Sequence, residues 1–345
     1  MRYQGFVAAA VLAGSAFAVP AQAANEVVLN IFTGPRHHAA LGMKWWAGEV
    51  AKVTEGRVTV KILPTSAAPP PKQMDGVVSG QFDAAYMFNG FTAKRAIGPQ
   101  FSLLPFMLKA NAETGSVAVW RTYQKFFASK KEFDKFGIHL LSIFHFPGNY
   151  FHSGDDTPIT SIADMRKRKM WALAGTVSHV LKNAGVNHVS GPAARVNEFT
   201  QTNVVSGVAG LSYDGVRSFG ALSFVKSTTV LDDKLMAPSF LFFISQKKWN
   251  SFSEADRKAI TAISGETIAK IIGKNSDNAE ASGRALLVKQ NNKFIPGSAA
   301  FAAELQKAGA PLISGWIKQA KKLNVDGQAV IDFYKAEVAK ISSGK

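Results

Sequence analysis

Pro158-Ile159-Thr160-Ser161-Ile162-Ala163-Asp164-Met165-Arg166-Lys167-Arg168-Lys169-Met170-Trp171-Ala172-Leu173-Ala174-Gly175 decides how this chain reads. Asp164 sits where a carboxylate can accept hydrogen bonds from the unpaired N–H groups of a starting turn. Four consecutive cations follow. Met170 to Ala174 is then a short apolar run, which reads as a buried strand ending at a glycine. Ligands of open α/β sheets collect at such strand ends. Trp171, close to this one, is therefore a candidate ligand contact, and a Trp in an apolar strand equally reads as core.

Working outward, the stretch belongs to the second of two α/β series. The first begins with the strand Val27 to Phe32 and the turn Thr33 to His38. A helix over Ala39 to Val53 follows, with Ala39, Met43, Trp46, Val50 and Val53 on one face. Val58 to Leu63 is the next strand, Lys72 to Val78 a short helix, and Ala84 to Phe88 a third strand. Strands alternating with helices predict a parallel sheet covered on both faces. A helix over Thr114 to Phe127 and a strand over Ile138 to Phe144 complete this series. His145 to His152 carries aromatics, Gly and Pro with no helical pattern, and reads as a crossing between two domains. The second series adds a helix near Ser178 to Ala184, a strand Asn187 to Ser190, a helix Ala194 to Asn203 and a strand Val208 to Tyr213. Ser239 to Ser245 is a second candidate crossing strand. Ser253 with Glu254 and Asp256 opens a helical pattern reaching about Gln290, with Gly265, Gly273 and Gly283 as the points where it can bend or break. Two helices, Ala299 to Ala308 and Pro311 to Lys322, and a last one from Gly327 to Ile341 close the chain.

The bulk properties exclude several classes. Arg2, the apolar run Phe6 to Val19 and Ala21-Gln22-Ala23 form a secretory leader, with cleavage expected after Ala23. No later segment is apolar enough to span a membrane, so no stable membrane insertion is expected. The 345 residues contain no cysteine, so neither disulfides nor thiolate chemistry is available. The formal charge of +16 favours the approach of anions. Apart from residues 166–169 the cations are scattered, without the interleaved aromatics of a nucleic-acid binder, so no nucleic-acid partner is expected. Neither a phosphate-binding G-x-x-x-x-G-K-[S/T] loop nor G-x-G-x-x-G nor H-E-x-x-H occurs. Gly210 to Gly215 misses the serine-hydrolase elbow by one residue. His37-His38 is the only histidine pair, and neighbours on a regular element point apart, so no metal and no cofactor is expected.

Strand-end loops offer a more coherent set: Arg36, His37, Phe88, Asn89, His145, Phe146, Asn149, Trp171, Tyr213 and Asp214. They are aromatic and hydrogen-bonding, without paired acids or a nucleophile beside a base. Their convergence on one cleft suits binding rather than catalysis.

Glu49 to Val58, Asp75 to Ala84, Leu104-Pro105-Phe106, Pro158 to Trp171, Val204 to Gly207 and Trp249 through Ile260 together resemble the solute-binding subunits of TRAP (tripartite ATP-independent periplasmic) transporters, the DctP-like family. The resemblance covers nearly the whole mature chain. It implies a two-domain α/β periplasmic binding protein fold (type II-like), with β-strand crossings and a long helix spanning both domains. The expected division is residues 24–145 plus 239–280 for one domain and 146–238 plus 281–345 for the other, with the ligand cleft between them. The implied function is capture of a small organic solute in the periplasm by a monomer, and its delivery to the membrane permease. The family usually reads D-L-K-G-L-K-I-R, with the last arginine clamping the ligand's carboxylate. Here Trp171 stands at that place, and Ser206 replaces the acid usual in the G-V-V-D-G stretch. A binding protein for an ABC importer or sensor is the alternative, and an exported hydrolase using Ser212 is the third.

Overall fold

The computed structural model describes residues 25–344; the expected leader and its cleavage point lie outside them. The first series folds as β1 (Asn25–Asn30), α1 (His38–Val53), β2 (Val58–Ile62), α2 (Gln73–Val78), β3 (Ala84–Phe88), α3 (Ala112–Phe126) and β4 (Ile138–His145). The chain then crosses into β5 (Tyr150–Ser153), α4 (Ile162–Arg166), β6 (Met170–Leu173), α5 (Thr176–Asn183), β7 (His188–Gly191), α6 (Val196–Gln201), β8 (Gly207–Leu211), α7 (Tyr213–Ser218) and β9 (Ser227–Val230). It returns through β10 (Ser239–Ser245), α8 (Gln246–Asn250), α9 (Glu254–Ile263) and α10 (Gly265–Lys289). β11 (Lys293–Pro296), α11 (Ala299–Ala320) and α12 (Gly327–Ser342) end it.

Two sheets result, ordered β2-β1-β3-β10-β4 and β11-β9-β5-β8-β6-β7. β1, β2 and β3 pair in parallel, as do β6, β7 and β8. The sheets are mixed, however. β10 runs antiparallel to β3 and β4, and β5 runs antiparallel to β8 and β9. The reason lies in the crossings. β3 and β4 end at the seam between the sheets, and β10 starts there, with Ser239 opposite His145. A strand that enters a sheet where its neighbours finish must run against them. The two crossing segments also zip to each other: Phe146 N–H donates to Pro238 O at 2.8 Å and Asn149 N–H to Met236 O at 3.1 Å.

The first sheet is covered on both faces, and β10 shows the period-2 alternation that makes this possible. Phe240, Phe242 and Ile244 join the core under α1, α9 and α10, while Leu241 and Phe243 join the core under α3 and α12. The second sheet has its own core around Phe151, Met170, Trp171, Val208 and Phe301. Leu103 and Phe106 reach into that core from the first series. Phe106 takes a left-handed φ of +59° to do so, with its N–H held by Leu235 O at 3.1 Å.

Three further sequence expectations need correction, and one break is located. α4 is capped by Ser161, whose Oγ accepts from Asp164 N–H at 3.1 Å; the Asp164 carboxylate instead reaches back to Thr160 N–H and Oγ1. The helical run to residue 290 is two helices, broken at Gly265, one of the three glycines expected to bend or break it. Gly265 has φ +55° there, and the Trp120 indole leaves no room for a Cβ. Conversely, α11 runs straight through Pro311, because Phe301 and Leu305 anchor one end in the second core and Trp316 and Ala320 anchor the other in the first. Residues 281–345, expected with the second domain, therefore divide: Leu287, Phe301 and Leu305 pack there, whereas Val330, Tyr334 and Val338 of α12 pack against the first sheet.

α10 ties both halves to one rod. Asp277 accepts the N–H groups of Ala112 and Glu113 at the start of α3, at 2.7 and 2.9 Å. Three residues on, Glu280 accepts those of Tyr213 and Asp214 at the start of α7, at 3.1 and 2.8 Å. Each carboxylate satisfies two free donors of a helix start and sits at the positive end of its dipole.

Candidate functional site

The seam collects an aromatic group from four segments. Phe32 lies 4.7 Å from Tyr86 between ring centroids, and Thr33 Oγ1 meets the Tyr86 hydroxyl at 2.5 Å. Phe240, at the start of β10, stacks on Phe146 at 3.8 Å and lies 5.7 Å from Phe88. Phe88 is only partly buried and packs against the cores of both sheets, so it bridges the seam. On the second sheet's side, Tyr150 and Tyr213 stack at 4.1 Å and 14°.

His37 and His38 adjoin this group. His37 is the N-cap of α1, with extended backbone (φ −66°, ψ 141°), and its Nδ1 accepts from Ala39 N–H at 3.2 Å. His38 is already helical. The backbone turns between them, so the rings face each other at 4.0 Å instead of pointing apart as expected. Phe146 presents its edge to His38 at 4.2 Å. His38 Nδ1 meets Ser276 Oγ of α10 at 2.8 Å, and its Nε2 lies 3.4 Å from Asp214 Oδ2 of α7. Arg217, one turn on, holds the other Asp214 oxygen. Burial pushes His37 down to about 4, against the pull of Asp214, and pushes His38 well below the ordinary histidine range, helped by His37 and Arg217. Burial raises Glu280 to about 7, opposed by the two N–H groups it accepts.

Of the nominated residues, the structure brings His37, Phe88, Phe146, Tyr213 and Asp214 to this seam. Arg36 is exposed on the loop before α1. Asn89 is turned inward: its Nδ2 donates to Pro99 O and Ser239 Oγ, and its Oδ1 accepts from Gln100 Nε2. His145 points to the far side of its sheet, where Nε2 meets the Tyr334 hydroxyl at 3.1 Å. Asn149 lies in the crossing; its Oδ1 accepts from Met236 N–H at 3.2 Å, and its Nδ2 has no acceptor among the described residues. Trp171 is fully buried on β6, opposite Val208 and Val189, and its Nε1–H likewise has no acceptor among the described residues. The neighbouring cations are committed or solvated. Arg166 donates to Ala184 O, Arg168 pairs with Asp155 at 2.8 Å, and Lys167 and Lys169 are exposed. Ser212 caps α7 by accepting from Gly215 N–H at 3.0 Å. Sequence reasoning missed Arg217, Ser276 and Glu280. Arg217 is signalled by its i,i+3 spacing from Asp214; the other two meet their partners only across 66 residues or more.

Residues 29–319 match the family model of bacterial extracellular solute-binding proteins, family 7 (DctP). The chain belongs to that family. It is thus a TRAP-type solute-binding protein, and its family binds small organic solutes outside the cytoplasm. The "outer membrane transporter protein TsaT" of Comamonas testosteroni is 35% identical over 317 residues, covering 91% of this chain and 92% of that one. A TRAP periplasmic solute-binding protein of Bordetella bronchiseptica, solved with (R)- and (S)-mandelate, superposes with a TM-score of 0.84 at 24% identity, over 92% of this chain and 99% of its own. One from Rhodoferax ferrireducens, solved with copurified benzoate, gives 0.79 at 24% identity, over 92% and 98%. Both share the two-sheet fold with strand crossings described above. Among the described residues, no helix of this solute-binding protein is long and apolar enough to cross a membrane.

Proposed function

We propose that the solute of this TRAP binding protein is a small aromatic acid, its ring against the aromatic side chains of the seam and its anionic oxygens accepting from two buried donors of the second half and the crossing, Trp171 Nε1–H and Asn149 Nδ2–H. The observation that carries this reading is that both side chains are buried donors without acceptors among the described residues. An unmatched buried donor costs about 1–3 kcal/mol, so a protein that keeps two of them gains by receiving acceptor atoms. The seam itself offers aromatic faces and edges, which suit a planar apolar ring. The relatives solved with mandelate and benzoate support the same solute class. Two neutral N–H donors then do the work of the family's arginine, and the positive charge of the whole chain speeds the approach of the anion. The remaining expectations fit this role: an exported monomer, processed after Ala23, that hands its solute to the membrane permease in the periplasm and performs no catalysis.

The test is calorimetric titration and thermal shift with benzoate, mandelate, pyroglutamate and the neutral analogue benzyl alcohol. At about 100 times its dissociation constant, the right ligand adds about 2.7 kcal/mol of stability. Trp171→Phe keeps a ring in the strand and removes the donor. Loss of one hydrogen bond to a charged oxygen, about 1.5–3 kcal/mol, weakens an aromatic acid about 10- to 150-fold. Equal binding of acid and alcohol, or unchanged affinity in a folded Trp171→Phe protein, overturns the reading.

A further inference from the structure

We propose that His37, His38 and Asp214 form a binding site for a divalent transition-metal ion that joins the two sheets' halves at the seam. One ligand atom from each of the three lies within 4.8 Å of the others. Hydrogen-bond accounting shows what is missing there. The Ser276 hydroxyl donates to Ile272 O at 2.7 Å, so its oxygen accepts from His38 Nδ1–H at 2.8 Å. With its proton on Nδ1 and Nε2 deprotonated, as a metal ligand must be, His38 turns a lone pair toward the Asp214 Oδ2 carboxylate oxygen at 3.4 Å. Two acceptors thus confront each other in a buried place. Their spacing is long for a charge-assisted hydrogen bond. It matches the edge of a tetrahedron whose bonds from ion to ligand are about 2.0–2.1 Å.

The surroundings resemble the support that metal ligands have. A ligating histidine usually donates its other N–H to a fixed acceptor, which is what Ser276 provides, and a ligating carboxylate is usually hydrogen-bonded on its second oxygen. Arg217 and Ser218 supply that on Asp214 Oδ1. His37 is half-buried beside His38 and contributes the third ligand through a ring nitrogen. Nδ1 then either binds the ion itself or takes the proton that Nε2 gives up, so it releases the cap on Ala39 N–H, which a water can take over. Two imidazoles and one carboxylate without sulfur favour zinc, nickel or copper over magnesium or calcium, which take oxygen ligands. The start of α1 and the Arg217 guanidinium are both positive, which weakens the site's hold on a cation. His37 and His38 belong to the first sheet's half and Asp214 to the second, so an ion held by all three stabilises the arrangement in which they meet. This inference is independent of the solute reading, since none of its ligands is a donor assigned to the solute.

The experiment titrates zinc chloride into the untagged mature chain, without solute, by calorimetry in a non-chelating buffer, and records the visible spectrum after loading with cobalt(II). The expected result is one ion per chain, a raised melting temperature and the d–d band of tetrahedral cobalt. His37→Ala is expected to weaken zinc about tenfold or more while leaving the circular dichroism unchanged, and Asp214→Asn to abolish the cobalt band. The exposed His179 on α5 is the control, and His179→Ala leaves binding unaltered. Absence of zinc binding, or zinc binding that survives His37→Ala and is lost in His179→Ala, overturns the proposal.

Discussion

Gly283→Ala tests the link between α10 and α7 most directly. A Cβ at Gly283 falls 2.6 Å from the carbonyl carbon and oxygen of Tyr213 and 2.7 Å from Asp214 N. These are backbone atoms at the start of a helix, so no side chain can swing aside. Reaching ordinary contact forces the helices apart by roughly 0.8 Å. The bonds from Tyr213 and Asp214 N–H to Glu280, now 3.1 and 2.8 Å, then stretch to roughly 3.6–3.9 Å, beyond hydrogen-bond range. Alanine in a helix gains about 1 kcal/mol over glycine. Overpacking costs about 1–3 kcal/mol, and weakening two charge-assisted bonds adds to it. The net expectation is a loss of about 2–4 kcal/mol. Gly315 in α11 is the internal control, because nothing lies within 4 Å of its Cβ position. There the same substitution stabilises by about 0.4–1 kcal/mol. Urea unfolding measures both, as midpoint shifts at unchanged slope. If Gly283→Ala is as stable as the parent, the close approach of α10 and α7 is refuted.

Glu280→Gln isolates one titration. Below pH 4.5 the side chain is protonated in both states. Between about 4.5 and about 7 the folded protein keeps a proton that the unfolded chain has released, so parental stability falls relative to the variant as pH rises through that window. The fall is at most about 3 kcal/mol, read from denaturant unfolding at pH 4.5 and 8; a difference that is flat with pH contradicts the buried carboxyl. Asp277→Ala leaves the N–H groups of Ala112 and Glu113 without an acceptor and is expected to cost about 1–3 kcal/mol in the same assay. Ser161→Ala removes the cap of α4 and is expected to cost about 1 kcal/mol. A neutral result would return the capping role to Asp164.

Much of the architecture is local and therefore legible. Period-2 and period-3.6 patterns place most strands and helices of both series within a few residues. The aromatic, Gly/Pro-bearing stretch at 145–152 marks the first crossing, and the apolar run at 239–245 is the strand on which the second ends. The family is legible too, because its motifs are short runs in a fixed order. Short strands without an apolar run, such as β9 and β11, escape such a reading, because Ser227-Thr228-Thr229 and Lys293 show nothing that burial alone would demand.

What the sequence by itself determined is thus the fold class, the two crossings and membership of the solute-binding family, since each rests on propensity and pattern within a few tens of residues. The tertiary structure alone decided where the ends of those elements meet. It turned His37 toward His38 through an extended N-cap, and brought Asp214 and Ser276 to the same imidazole across 176 and 238 residues. It left Trp171 and Asn149 buried with donors unmatched among the described residues, and sent α12 back to the first sheet. These outcomes depend on which surfaces are covered when two sheets and one long helix close together. No local pattern carries that information, because the contacts that settle it join residues that are neighbours only in space.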